Sequence, residues 1–478
     1  MSPFRHFAFR FLYIMKLLEK IEIIDAGSEG NAVARHGDMV VFVPFGVPGD
    51  IVDIDIFRSK KSYAEGRIVR FHQHSKNRVE PFCSHFGLCG GCKWQHMDYA
   101  SQLHFKQKQV EDSLRRIAKI DDPLVRPILG SGLEKGYRNK LEFTFSSHRW
   151  FTNPTDGDSS PALGFHIPRR WDKVLDIDHC FLMEEPVNAI RLEARRYAID
   201  KGMSFYDARS NKGFLRNMIL RSTTGGDLML IMVFGADEPD RILPMLFHLQ
   251  AEFPKITSLF YVVNEKKNDI INDLELRHYS GSKFITEVVP PFRENFSKSK
   301  FRIGPVSFFQ TNPFQSFKLF SQAATYLSPT GSEVVYDLYT GAGAIANYIS
   351  PYVSKVIGIE SVASAVADAK VNAGLNGNTN LEFFAAEAEK LLSPEFISTN
   401  GHPDAVITDP PRNGMHEKVI RTLLTVLPAK IIYVSCNPAT QARDIQILKE
   451  SYRLAECQPL DMFPHTQHVE NVALLTLI

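Results

Sequence analysis

The sequence predicts a multidomain α/β protein with a small OB-like β-barrel in front, an α+β domain in the middle and a Rossmann-like, doubly wound domain behind. Three observations carry this. Short β-rich runs punctuated by glycine fill residues 20–75, strands and helices mix without strict order over 130–300, and from Phe301 strand and helix alternate. Regular alternation of that kind builds a mostly parallel sheet with ligands at the carboxyl ends of its strands. The 478 residues, 44% hydrophobic and 23% charged, suit two to four globular domains and exclude a disordered chain or a small disulfide scaffold.

In the front part, runs 21–24, 39–43, 51–57 and 66–71 read as strands, with turns at 27–30 and 44–50. The pattern fits a five-stranded barrel of the kind that binds oligonucleotides. Net charge is +1, but residues 1–150 hold 23 basic and 17 acidic side chains, so the chain has a basic front. Arg58, Lys60, Lys61, Arg67, Arg70, Lys76 and Arg78 stand against Glu65 alone, with Tyr63 and Phe71 among them. Either a phosphate-tracking surface or a solvated edge accounts for that run.

The apolar first twenty residues are broken by Arg10 and Lys16 and lack a cleavage site, so no secretory signal is expected; Met15 is an alternative start to Met1. No uncharged apolar run is long enough to span a membrane. Six cysteines without a signal imply a reducing cytoplasm and thiols that are free or metal-bound. Cys83, Cys89 and Cys92 crowd one loop, after which Leu103, Val110, Leu114 and Ile117 recur at helical spacing, giving a helix over about 97–119. In the middle, 140–146 and 228–234 read as strands and 185–201 as a helix. The rear strands are 333–338, 355–360, 381–386, 404–408, 430–435 and 471–478.

Chemistry gathers at the ends of the rear strands. Asp337, Gly341, Gly343 and Ala346 form a strand-to-helix turn, and Glu360 ends the next strand 19 residues after Gly341. Glycines let a ligand approach the backbone, and an acid at the second strand end can accept ribose hydroxyls. The spacing also satisfies the dinucleotide fingerprint, so a nicotinamide enzyme competes. Asp337 tips the reading toward S-adenosyl-L-methionine, because a carboxylate there can receive the methionyl ammonium group but would repel a pyrophosphate.

Asp409 precedes Pro410, Pro411 and Arg412 directly after an apolar strand, where two prolines stiffen the sheet edge. A similar motif marks enzymes that methylate amino groups on bases, which keeps that activity as a rival. Cys436 follows a buried strand among Ser435, Asn437 and Pro438, polar or turn-forming neighbours that favour a reactive thiol over a core cysteine. Farther on, His465, His468 and Glu470 crowd the start of the last strand. They make a poor metal site, and a Cys436–His465 hydrolase pair would leave a methyl-donor pocket without purpose. Glu470 fits better as a general base. Carbon 5 of uracil is too weak a nucleophile to take a methyl group unaided. Thiolate addition at carbon 6 makes it one, and a carboxylate must later remove the carbon-5 proton so that the thiolate can leave.

With these residues in place, the chain resembles the RNA uracil-5-methyltransferase family, in the subgroup with an N-terminal TRAM domain and an iron-sulfur cluster. The segments 43–50 and 75–81 resemble the TRAM domain and its exit, and Cys83, Cys89 and Cys92 with Gln95, His96 and Tyr99 resemble the cluster loop. Segments 308–312, 337–343, 409–412, 435–438, 442–444 and 463–470 resemble the catalytic motifs in order. The resemblance implies Cys436 as nucleophile and Glu470 as base. It makes Gln310, Tyr339, Glu360 and Asp409 cofactor or acceptor contacts beside Asp337, Gly341 and Gly343. Cys83, Cys89, Cys92 and Cys180 become ligands of a 4Fe-4S cluster, although spacing alone also allows zinc.

The implied layout is a TRAM domain over 16–75, a central domain with the cluster loop over 76–300 whose helix at 97–119 packs on the catalytic domain, and the methyltransferase domain over 301–478. Thr340 replaces the family's cysteine at a position assigned no chemistry, and Cys457 is left for packing. The implied partner is RNA, specifically large-subunit (23S) ribosomal RNA, because the transfer RNA branch is taken to lack the barrel and cluster loop. The base is expected to be flipped into the cleft, with Phe308 and Phe309 as stacking or core groups. A cytoplasmic monomer without membrane or obligate protein partner is expected. A non-catalytic RNA-binding protein is the reading that intact Cys436 and Glu470 oppose.

Overall fold

The computed structural model describes residues 16–27, 29–152 and 160–478; the alternative start at Met15 lies outside them. Strands β1 (Lys16–Ala26), β2 (Ala32–His36), β3 (Met39–Val43), β4 (Ile51–Ser59) and β5 (Tyr63–Gln73) close a barrel in the order β1-β2-β3-β5-β4. Ile23, Ala34, Val41, Val43, Val52 and Ile54 alternate inward and are fully buried. β2 carries a weak sequence signal because Ala32 and Ala34 have little β-propensity, yet both side chains are buried in the barrel core.

The basic run is less basic than its linear count. Asp50, Asp53 and Asp55, brought up from β4 and the turn before it, pair with Arg78, His72 and Arg67, and Glu65 takes Arg58. Lys60, Lys61, Arg70 and Lys76 stand outside ion pairs among the described residues, and they alone remain for phosphates.

Helix α1 (Tyr99–Arg116) starts at Asp98, whose carboxylate accepts the Ser101 N–H. Its first half buries Gln102, Phe105 and Lys106; its second half buries Val110 and Leu114 in one core with Tyr433, Ile445 and Cys457 near the other end of the chain. Ile117 is exposed at the carboxyl cap rather than on the packed face. The Lys106 ammonium is fully buried against the Asp461 carboxylate and also donates to the Phe463 carbonyl. Burial lowers the lysine pKa and Asp461 opposes the shift. Lys106→Met, which strands the buried carboxylate, is expected to cost about 3–5 kcal/mol in urea unfolding. Adding Asp461→Leu should recover part of that loss; strict additivity would refute the coupling.

The middle sheet runs β12-β11-β10-β9-β6-β7-β8. Its strands are β6 (Lys140–Ser146), β7 (Ala162–Ile167), β8 (Arg170–Asp176), β9 (Leu215–Ser222), β10 (Leu228–Phe234), β11 (Ser258–Val263) and β12 (Arg277–Gly281). Helices α2 (Val187–Asp200) and α3 (Pro239–Glu252) cover the face carrying Leu230 and Met232. Met229, Ile231 and Val233 point the other way, into the rear core. β10 is therefore buried at every residue and reads as a continuous apolar run.

The hairpin β13 (Ile285–Val289) and β14 (Ser299–Ile303) and helix α4 (Pro313–Leu327) enter that same core. The rear sheet runs β17-β16-β15-β18-β19-β21-β20. Along the chain it comprises β15 (Val334–Leu338), α5 (Ala344–Ile349), β16 (Lys355–Glu360), α6 (Ala363–Asn376), β17 (Leu381–Ala385), α7 (Ala388–Leu391), α8 (Pro394–Asn400), β18 (Ala405–Thr408), α9 (Glu417–Val426), β19 (Lys430–Ser435), α10 (Pro438–Leu448), β20 (Tyr452–Leu460) and β21 (Glu470–Leu477). β15 to β19 are parallel, and β21 is antiparallel to both its neighbours. The order reverses between β15 and β18, which opens a crevice at their carboxyl ends. β20, an edge strand with a bulge near Glu456 and a proline at 459, carried too broken a pattern to be read. No described helix is long and apolar enough to cross a membrane.

Candidate functional site

The turn after β15 is tied from both sides. Asp337, 1% exposed, accepts the Thr340 hydroxyl at 2.6 Å and the Ala346 N–H at 3.2 Å through one oxygen. Glu360 accepts the N–H groups of Gly341 at 3.1 Å and Val362 at 2.9 Å. The two glycines, both at positive φ, do different work. A side chain on Gly343 would strike Asn347, Ala369 and Phe383, whereas Gly341 faces open space. Gly343 lets helix and strand close up; Gly341 leaves room for a ligand. Between them and β15, Tyr339 holds φ 61° without being glycine, backbone strain of the kind kept at ligand sites.

Asp409 directly follows β18 across the crevice and keeps some exposure. Burial and the neighbouring Asp337 push its carboxyl up to about 7. Asp337 is itself pushed up to about 7 by burial, with Glu360 adding to it. Gln310 sits in a segment pinned to the middle domain, where Asn139 donates to its carbonyl at 3.0 Å and to that of Thr311 at 2.9 Å. Phe309 is buried in the core and Phe308 is 68% exposed, so only Phe308 remains available for stacking.

Register brings nucleophile and base candidates together. Ser435 of β19 pairs with Asn471 of β21, so Cys436, one residue on, lies beside Glu470. Cys436 is part-exposed, and burial, Glu470 and Asp409 push its thiol up to about 11 while Arg412 opposes them. Burial and Asp409 hold the Glu470 carboxyl well above the ordinary range, again against Arg412. The Arg412 carbonyl accepts from Asn437 at 3.0 Å and Thr440 at 3.1 Å, which ties the proline turn to the residues after Cys436. Behind them, fully buried Asp444 accepts the Tyr433 hydroxyl and the Met415 N–H.

This constellation has relatives. A family profile described as tRNA (Uracil-5-)-methyltransferase matches residues 283–478, and a TRAM domain profile matches 19–69. The chain is 48% identical over 94% of its length to an uncharacterized RNA methyltransferase of Bacteroides thetaiotaomicron, covering 99% of that protein. It is 38% identical over 95% of its length to another of Chlorobaculum tepidum, covering 93% of it. The chain belongs to the RNA uracil-5-methyltransferase family. It is an S-adenosylmethionine-dependent RNA methyltransferase. A crystal structure of the Pyrococcus abyssi tRNA (uracil-54, C5)-methyltransferase with S-adenosyl-L-homocysteine is similar to it over 95% of this chain and 99% of that one, with 29% identity and a TM-score of 0.73. That overlap takes in the barrel, so the barrel does not set ribosomal RNA apart from transfer RNA as a substrate.

In this RNA methyltransferase the loop between β20 and β21 is clamped by the front of the chain. The His465 carbonyl accepts from Lys93 at 2.8 Å and Trp94 at 3.0 Å, Tyr137 donates to the Pro464 carbonyl at 3.1 Å, and Gln102 bonds the His465 backbone and ring. The His465 ring packs against Phe82, so it serves the clamp. Hydropathy could not single out Gln102 and Lys106, polar residues on a buried helix face. Thr340 also does more than expected, since its hydroxyl holds Asp337.

Cys83, Cys89, Cys92 and Cys180 border one cavity of about 570 Å³ between the cysteine loop and the middle domain. Cys457 is fully buried in the rear core, as packing requires. Among the described residues no three His, Cys, Asp or Glu side chains converge as a metal-ion site.

Proposed function

We propose that the enzyme forms 5-methyluridine in RNA, with Cys436 adding to carbon 6 of a flipped uracil and Glu470 removing the carbon-5 proton after methyl transfer. The observation that carries this reading is the β19–β21 register, whose last pair, Ser435 with Asn471, makes Cys436 and Glu470 neighbours at the adjoining strand ends. An amino methyltransferase has no use for that pair. Once the thiolate adds, carbon 5 attacks the sulfonium methyl and S-adenosylhomocysteine departs. Loss of the carbon-5 proton to Glu470 then expels the thiolate. Incubating the protein with labelled S-adenosylmethionine and RNA, then identifying the nucleoside, tests it; label in N-methylated bases would overturn it.

Large-subunit ribosomal RNA is the substrate that the cysteine loop's resemblance favours. Transfer RNA is the second reading, favoured by the Pyrococcus abyssi enzyme, and transcripts of both separate the two. We read the protein as a cytoplasmic monomer.

Asp337, Tyr339, Gly341, Glu360, Asp409 and Gln310 would hold S-adenosylmethionine, which supplies the methyl group. Three carboxyls with raised proton affinity, those of Asp337, Asp409 and Glu470, would face a ligand that carries ammonium and sulfonium charges. A cationic ligand favours their ionised forms, so binding should release protons and strengthen as pH rises through about 7, where Asp337 and Asp409 titrate. Calorimetry at pH 6 and pH 8 checks this, and equal affinities would remove the argument.

Cys83, Cys89, Cys92 and Cys180 would hold the 4Fe-4S cluster. What supports this reading is that all four cysteines line the same cavity. Anaerobically purified protein is expected to be brown, with iron and acid-labile sulfide. Colourless, zinc-loaded protein would refute the cluster.

A further inference from the structure

We propose that the tip of the β7–β8 hairpin, with Trp171 as a base-stacking post, holds single-stranded RNA flanking the target uridine in the two grooves that share the tip, one against the barrel and one over the middle domain. The inference rests on the enzyme's acting on RNA and adds where the rest of the substrate lies. Ile167 pairs with Arg170, so the hairpin turns on Pro168 and Arg169 alone. Arg169 holds φ 65°, a corner usually given to glycine or asparagine. A long cation kept there against backbone preference, next to a tryptophan 66% exposed, is a costly way to build a plain solvated turn. Trp94, by contrast, is 1% exposed, and Trp150 is part-buried under the Arg170 guanidinium at 5.7 Å.

The tip is the common wall of two grooves of about 680 and 700 Å³. The first lies between it and the barrel face where Phe42 and Tyr63 meet edge to face at 5.8 Å and Phe57 is 44% exposed. The second continues over Trp171 to Lys267. Arg169, Lys93 and Lys267 make no ion pair among the described residues. The acids on the barrel side are Glu29 and Glu65, and Glu65 is taken by Arg58.

The groove also borders the loop that leads to Glu470. Lys93, which lines its barrel side, donates its backbone N–H to the His465 carbonyl at 2.8 Å, five residues before Glu470. Aromatic faces interleaved with unpaired cations, leading away from a reactive centre, are what a single strand recognises through stacking and phosphates.

The full-length enzyme with Trp171→Ala is expected to show a KM for RNA raised about tenfold, with kcat little changed and Trp171→Phe restoring most of the loss. Arg169→Gln should reduce the slope of log affinity against log salt by about 0.7, as for one lost phosphate contact on a single strand. RNA should quench tryptophan emission in the wild type and much less in Trp171→Ala. Unchanged KM, salt slope and quenching in both variants, while the wild type methylates RNA, would overturn the surface. A wild type that shows Trp171-dependent quenching by RNA yet transfers no methyl group would overturn the catalytic reading and leave the surface standing.

Discussion

Cys436→Ala is expected to lower methyl transfer to RNA by roughly 10⁴-fold or more, the scale on which removing a covalent nucleophile acts. Cofactor binding should persist, because the turn that would hold S-adenosylmethionine is built from Asp337, Gly341, Gly343 and Glu360 on other strands. Stability should change little at a part-exposed site. RNA containing 5-fluorouridine separates chemistry from binding. Fluorine cannot leave carbon 5 as a proton does, so the wild-type protein should become joined to such RNA and migrate as an adduct in a denaturing gel. The alanine variant should form none. An undiminished adduct with Cys436→Ala would assign the nucleophile elsewhere, and retained turnover would point to amino methylation. The thiol must ionise from a raised starting point, against Glu470 and Asp409, and Arg412 is the neighbour that favours the thiolate. Arg412→Ala should therefore slow alkylation of Cys436 by iodoacetamide at pH 8.

The positions of the motif-bearing strand ends were legible because the signals that mark them are local. Asp337, Gly341 and Gly343 share one turn, Asp409 precedes two prolines, and Cys436 stands where an apolar run stops. Continuous apolar stretches such as β10 and β19 were legible for the same reason. What escaped depends on partners remote in sequence. The basic run from Arg58 to Arg78 contains one acid in linear count, whereas its partners Asp50, Asp53 and Asp55 come from a neighbouring strand and the turn before it. Lys106 and Gln102 spoil the apolar periodicity of α1 since their partners, Asp461 and His465, lie more than 350 positions away. β2 and β20 were missed where small side chains, a bulge and a proline hide the alternation. The expected break at residue 300 is bridged by one apolar core that joins Ile231 of the middle sheet to Phe301, Leu319 and Ile432. Periodicity reports which face of a strand is apolar, not which neighbour covers it.

Glu470→Gln is expected to stop the reaction one step later than Cys436→Ala. The amide keeps the shape of a side chain only 6% exposed but cannot take the carbon-5 proton. The ring can still be attacked by Cys436 and methylated, after which carbon 5 carries both hydrogen and methyl and the thioether bond persists. The expected product is methylated RNA joined to the protein on ordinary uridine, with turnover reduced about 10²- to 10⁴-fold. Single-turnover label transfer to the adduct should remain. The free enzyme holds Glu470 protonated beyond the usual range because it is buried beside Asp409, so the wild-type elimination step should accelerate as pH rises through that raised value. The amide variant should lose this dependence. Should Glu470→Gln turn over normally, proton removal would belong to another group, and Asp409 would be the carboxyl to test, since it acts electrostatically on both Cys436 and Glu470; loss of methylation with no adduct would instead assign Glu470 to a step before methyl transfer.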